Sequence, residues 1–145
     1  MNVPPIPNSS FASGPGYRII QLGSRALARA ESVLIGLGIK PRHLNVLYLV
    51  AANPSLSQRE ISVELGVDPN IMVTIIDDLE REGLAVRERS TADRRRHVVV
   101  VTAKGKQVLE DGVKALAQGE KDFFAALNAD EREKFYQMCG KLLGM

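Results

Sequence analysis

Apolar residues recur at helical spacing through "YRIIQLGSRALARAESVLIGL", where Ile20, Leu27, Ala30, Leu34 and Leu37 fall near one face. The pattern predicts a first helix over residues 17–37, ended by Gly36 and Gly38. Pro41 suits the first turn of a second helix, "PRHLNVLYLVAAN". Its Leu44, Val46, Leu47 and Val50 give the broad apolar face of a central helix, and Asn53-Pro54 stops it. In "LSQREISVELGV", Ser57 and Glu60 fit a capping box, Ile61 and Leu65 face inward, and Gly66 closes the turn. Asp68 then caps, and Pro69 opens, a helix that ends at Gly83. The texture changes at "LAVRERS" and "HVVVV", which are short, β-branched and read as strands. The link "STADRRR" is longer than a two-residue turn, so this hairpin carries a projecting loop. Thr102 caps a long helix, "AKGKQVLEDGVKALAQGEKDFFAAL", and Asn128 with Glu131 caps the last, which ends near Leu143. The expected fold is mainly α with a small β-hairpin. Two short helices joined by a Gly-containing turn, then a basic-tipped hairpin, make a winged helix-turn-helix.

Composition narrows the class. A chain of 145 residues with 45% hydrophobic content suits one domain with a real core. No apolar run approaches the roughly 20 residues that span a bilayer. The start, "MNVPPIPNSSFASGPGY", has neither the basic opening nor the apolar core of a secretory signal, and reads as a flexible arm over residues 1–16. A cytoplasmic protein without membrane contact is expected. Cys139 is the single cysteine and cannot form an intrachain disulfide. With Met138 and Leu142 beside it on an apolar stripe, it reads as a small buried hydrophobe.

The net charge of +2 hides an asymmetry. From Arg81 to Lys106 there are eight Lys or Arg and three acids, a local balance of +5; the remainder, eleven bases against fourteen acids, carries −3. One basic zone on a nearly neutral chain suggests a localised anion-binding surface. Enzyme chemistry has no foothold. His43 and His97 lie far apart, no Cys or His cluster has metal-ligand spacing, and "GLGIKPR" lacks the Lys-Ser/Thr ending of a phosphate loop. No enzymatic activity and no cofactor are expected.

On a 3.6-residue period, Met72, Ile75, Ile76 and Leu79 form the core side of the helix over residues 69–82. Asn70, Thr74, Asp77 and Arg81 lie opposite, with Val73 on their shoulder. That face suits the major groove. Asn pairs bidentately with adenine, and Thr or Val touches the thymine methyl, so A·T pairs are expected beneath it. Asp77, Asp78 and Glu80 repel phosphate. Affinity must therefore come from the wing arginines Arg94, Arg95 and Arg96, and from Ser57, Gln58 and Arg59 at a helix N-terminus that can hold phosphate.

Residues 56–105 resemble the MarR family of bacterial transcription regulators. The order helix-turn-helix, "LE..GL", strand, "DRR" wing, strand and "T..G" helix start carries the likeness, which with the flanking helices extends over nearly all of the chain after Tyr17. "GVDPNIMV" is similar to members from high-GC bacteria. The resemblance implies a homodimer, with N- and C-terminal dimerisation helices over about 17–37 and 105–143 interlocking around a winged helix over about 40–104, all in one domain over 17–145. It implies a repressor that reads a pseudo-palindromic double-stranded DNA operator, with recognition helices on the order of 34 Å apart. It also implies that Asp93 braces the wing and Arg95 enters the minor groove. Arg94 and Arg96 become phosphate contacts or further braces, and Arg87 and Arg89 are further candidates on the wing strand. A small aromatic or phenolic effector would sit between the dimer helices and the DNA lobe, where Arg25, His43 and Tyr48 are possible lining residues. Many members carry a basic residue where Thr74 or Asp78 stands, and thiol-sensing members carry a reactive cysteine near the first helix, where this chain has none. The competing reading is a winged-helix protein-interaction module whose wing binds an acidic protein surface.

Overall fold

The computed structural model describes residues 13–145. Residues 1–12 of the expected arm lie outside that range, while Pro15 and Gly16 already belong to a helix. Proline costs nothing there, because the first helical residue has no intrahelical N–H bond to lose. The order is α1 (Pro15–Leu34), a 3₁₀ turn (Ile35–Leu37), α2 (Pro41–Ala52), α3 (Gln58–Leu65), α4 (Pro69–Arg81), β1 (Ala85–Arg89), β2 (His97–Val101), α5 (Ala103–Phe123) and α6 (Ala129–Leu143). The chain divides into two compact units, Ala30–Leu116 and the described part of Met1–Arg29 with Ala117–Met145.

The first unit is the winged helix. Its core joins Leu44, Val46, Leu47 and Val50 of α2 to Ile61 of α3 and to Met72, Ile75, Ile76 and Leu79 of α4, all nearly inaccessible to water. The α3–α4 turn follows the capping logic of its residues. The Ser57 hydroxyl accepts from the Glu60 N–H (3.3 Å), and the Glu60 carboxylate accepts from the Ser57 N–H (2.8 Å). Gly66 stops α3 in the left-handed region at φ 61°, where a side chain would be strained. Asp68 caps α4 by accepting from the Asn70 N–H at 2.8 Å.

The hairpin is antiparallel, running from Ala85 opposite Val101 to Arg89 opposite His97. Val98, Val99 and Val101 are buried. The Val99 N–H donates to the Leu56 carbonyl (3.0 Å), so β2 is also stitched to the segment before α3. Thr102 joins hairpin to helix: its hydroxyl donates to the Gly83 carbonyl (2.7 Å) and accepts from the Gly105 N–H (3.0 Å). Gly105 is buried against the main chain, and a Cβ there would stand 1.9 Å from the Leu84 carbonyl oxygen. The "T..G" spacing is thus one joint, with threonine capping the helix and glycine letting it sit on the strand entry.

His43 ties α2 to α4. Its Nδ1 accepts from the Lys40 N–H (3.0 Å), so the ring proton is on Nε2, which donates to Asp78 Oδ2 (3.1 Å). Burial lowers the His43 pKa from its ordinary 6.5, with Asp78 opposing that shift. Asp78 is held below the ordinary carboxylate value, first by the Arg81 guanidinium and then by His43.

In the second unit, Arg29 pairs with Asp122 at 2.6 Å, and Phe124 lies against Phe123 and Phe135 with ring centroids 5.1 and 5.5 Å away. Two expectations fail here. The long helix stops at Phe123 rather than at residue 127, giving way to turns before Asn128 caps α6. Cys139 is only half-buried, and Met138 and Leu142 are exposed, because α6 buries no residue within this chain. Ile20 and Leu27 of α1 are exposed as well.

Replacing Gly105 by Ala should cost on the order of 1–3 kcal/mol in urea unfolding, because the methyl meets main chain. Gly112→Ala should cost less, since its nearest neighbour is the movable tip of Leu44 at 2.7 Å. Equal costs would show that Leu84 yields. For His43 the folded pKa lies below the unfolded one, so the unfolded chain binds the extra proton first. Stability should be full above about pH 6.5 and fall as pH drops through the folded pKa. A His43→Asn variant should lack that step in a melting-temperature series between pH 7.5 and 5.

Candidate nucleic-acid interface

The outward face of α4 is fixed by the burial of the inward one. Asn70, Val73, Thr74 and Asp77 are exposed, as is Ile71. Among the described residues the Asn70 amide has no partner. The Thr74 hydroxyl back-bonds to the Asn70 carbonyl (3.4 Å), which leaves its methyl as the group able to contact a base. Arg81 is exposed but turns back along the helix to Asp78 (2.6 Å).

The acids of α4 are all paired within the protein, Asp77 and Glu80 sharing one guanidinium. Asp78 receives Arg81 and His43 and lies 3.8 Å from Arg42. Asp77 pairs with Arg87 at 2.7 Å, and Glu80 pairs with Arg87 as well as accepting from its backbone N–H at 2.7 Å. The repulsion expected from these carboxylates is therefore reduced before any partner arrives.

At the start of α3, Ser57 spends its hydroxyl on the cap, donating to Glu60 at 2.9 Å. The Gln58 side-chain oxygen accepts from Arg87 Nε at 3.0 Å, so only its NH₂ group remains to meet an anion. Arg59 is exposed and, among the described residues, unpaired. The N–H groups of Gln58 and Arg59, which no helical carbonyl can reach, complete a small donor cluster.

The wing tip is built from its own short side chains. Ser90 Oγ accepts from the Ala92 and Asp93 N–H groups (3.2 and 3.3 Å), and Asp93 accepts from the Arg95 N–H (3.0 Å). Asp93, expected as the wing brace, meets the main chain of Arg95 and not its guanidinium. Arg96, expected as a phosphate contact or a further brace, pairs with Glu60 and donates to the Ser55 carbonyl (3.2 Å), locking the wing to α3. The hydrogen bonds from Ser57 and the ion pair to Arg96 hold the Glu60 pKa below its ordinary value. Arg89, Arg94 and Arg95 are exposed and, among the described residues, without a partner. The roles of Arg87 and Arg96 left no mark in the sequence. Each meets carboxylates seven to 36 residues away, through the hairpin register rather than any helical spacing.

Among the described residues no group of His, Cys, Asp or Glu is placed to hold a metal ion, and no single helix is long and apolar enough to cross a membrane. A cleft of about 550 Å³ lies between α2 and the end of α4, lined by Ile35, Ile39, Leu79 and Leu84 together with Lys40, Arg42, His43 and Asp78. Of the three possible effector-lining residues, His43 is in this cleft, whereas Arg25 and Tyr48 are exposed elsewhere.

The family model described as "MarR family" matches residues 37–96. A putative transcriptional regulatory protein for the hcr operon of Thauera aromatica is 34% identical over 116 residues, covering 80% of this chain and 66% of that protein. Two structures of the transcriptional repressor CouR align closely. The one bound to a 23-mer DNA duplex has a TM-score of 0.84 at 29% identity, covering 93% of this chain and 96% of CouR. The one bound to p-coumaroyl-CoA has a TM-score of 0.85 at 26% identity, covering 96% and 98%. With its helix-turn-helix, its "T..G" joint and its arginine-tipped hairpin, the chain belongs to the MarR family, a family of transcriptional regulators rather than enzymes.

Proposed function

We propose that this protein is a cytoplasmic, homodimeric repressor that binds a pseudo-palindromic operator and releases it in response to a small effector. The observation that carries the reading is the contrast around the basic zone: the acids of α4 are each paired with a protein cation, while Arg59, Arg89, Arg94 and Arg95 have no partner among the described residues. In this reading Asn70, Val73 and Thr74 meet base edges in the major groove, and Arg95 enters the minor groove. Arg94, Arg89, Arg59 and the Gln58 amide hold phosphates. Ser57 and Arg96 serve the interface by fixing α3 and the wing.

The dimer follows from what one chain leaves uncovered. Tyr136, Leu142 and Leu143 of α6 and Ile19 and Ile20 of α1 are each more than half exposed. A 15-residue helix without one fully buried residue gains little burial from its own chain beyond the Phe124–Phe135 contact. A second copy supplies the missing cover. For the effector, support comes from CouR, a similar repressor bound to p-coumaroyl-CoA. The cleft beside His43 has apolar walls and balances Lys40, Arg42 and Arg81 against Glu31, Asp78 and Glu82, so it suits a small molecule with an apolar body, whose presence would touch the His43–Asp78 link that holds α4.

Arg95→Ala should weaken binding to a duplex selected from a random pool by on the order of 1–3 kcal/mol, measured by fluorescence anisotropy. Wild-type affinity should also drop by orders of magnitude between low and moderate salt. A chain that ignores duplex DNA and captures an acidic protein instead would favour the interaction-module reading. Leu142→Glu should shift the protein from dimer to monomer in analytical ultracentrifugation; an unchanged sedimentation coefficient would remove α6 from the interface.

A further inference from the structure

Arg87 sits in the basic zone, and its charge alone would make it one more phosphate contact. Its surroundings say otherwise. Nε donates to Gln58 Oε1 at 3.0 Å, one terminal nitrogen pairs with Glu80, and the other lies 2.7 Å from Asp77 Oδ1. Every nitrogen of the guanidinium is committed, and its side chain is 28% exposed. Its backbone N–H is held by the same Glu80 carboxylate.

The consequences reach three elements. Asp77 and Glu80 stand one turn apart on α4, and Asp77, 55% exposed, belongs to the outward face. Uncompensated, the two would add a double negative charge to the helix that approaches a polyanion. Gln58 stands at the start of α3. With its oxygen fixed by Arg87 Nε, its NH₂ is the group left to face outward, which is the polarity a phosphate or base acceptor requires.

Resting on the DNA-binding reading, we propose that Arg87 is a positioning residue for that binding. It pairs with both Asp77 and Glu80 and cuts their combined charge from −2 to −1, without itself contacting the nucleic acid. A direct phosphate contact would still lose affinity on truncation after those acids are made neutral. A neutralising residue matters only while the acids are charged.

The test is a cycle on the full-length protein, with anisotropy titrations of wild type, Arg87→Ala, Asp77→Asn/Glu80→Gln, and the combined triple variant against one labelled duplex. Thermal melts confirm that each is folded at the assay temperature. Arg87→Ala should weaken binding at least about fivefold in the wild-type background and less than about twofold in the Asp77→Asn/Glu80→Gln background, a coupling typical of residues in one network. Equal losses in both backgrounds would make Arg87 a direct contact and overturn the proposal, as would no loss in either. Failure of the wild type to bind any duplex overturns the DNA-binding reading instead, and the proposal with it.

Discussion

Four side chains of α4, Met72, Ile75, Ile76 and Leu79, are withdrawn from water onto the α2–α3 core, and their burial decides which face is left for a partner. At about 1.5–3 kcal/mol for each large apolar side chain, that stripe is worth roughly 6–12 kcal/mol as an upper bound. This is comparable with the whole stability of a small domain. A rotation of α4 by one residue would forfeit much of it. The outward set of Asn70, Val73, Thr74 and Asp77 is therefore fixed as firmly as the core, although none of its members contributes to that core. The His43–Asp78 hydrogen bond adds a polar tie on the α2 side, and Arg87 adds another through the hairpin.

The wing is held differently. A lone surface ion pair contributes little, because solvent screens it and two long side chains lose freedom. Arg96–Glu60 is not alone. The same Glu60 carboxylate caps α3, the same arginine reaches the Ser55 carbonyl, and two residues after His97 the Val99 N–H meets Leu56. The wing base is thus attached at backbone and side-chain level to the segment that opens α3. The tip beyond it is shaped by the Ser90 and Asp93 side chains and by main-chain bonds of the loop itself. Basic residues divide along the same line: Arg87 and Arg96 hold the scaffold, while Arg89, Arg94 and Arg95 remain on the projecting part.

The local parts of this design are readable in the chain. Ser57 and Glu60, Asp68 and Pro69, and Asn128 and Glu131 announce helix starts because a cap acts within four residues. The core stripe of α4 is readable because helical period alone selects it. What the sequence conceals is the pairing of charges. "DRRR" shows three equivalent arginines, yet Arg96 alone faces Glu60, because strand alternation and hairpin register choose its direction. Arg87 is hidden for the same reason. At Cys139 and along α6 the pattern correctly predicts a helix and wrongly predicts burial, since an apolar stripe does not say whether its cover lies in the same chain.

That last gap bears on affinity. On the proposed reading, one winged helix offers four unpaired arginines, Arg59, Arg89, Arg94 and Arg95, toward phosphate and groove. Counterion release scales with the number of phosphates neutralised, so a single copy would bind duplex weakly at physiological salt. Two copies joined through α1 and α6 present about eight, about six of them assigned to phosphate, at the lower end of the roughly six to ten phosphate contacts that give steep, salt-sensitive binding. Joining them also makes the second half-site contact intramolecular, which raises affinity without any new residue. The uncovered apolar face of α6 and the sparse set of free arginines thus impose one requirement. On that reading, a chain of net charge +2 holds DNA more firmly by presenting its small basic zone twice.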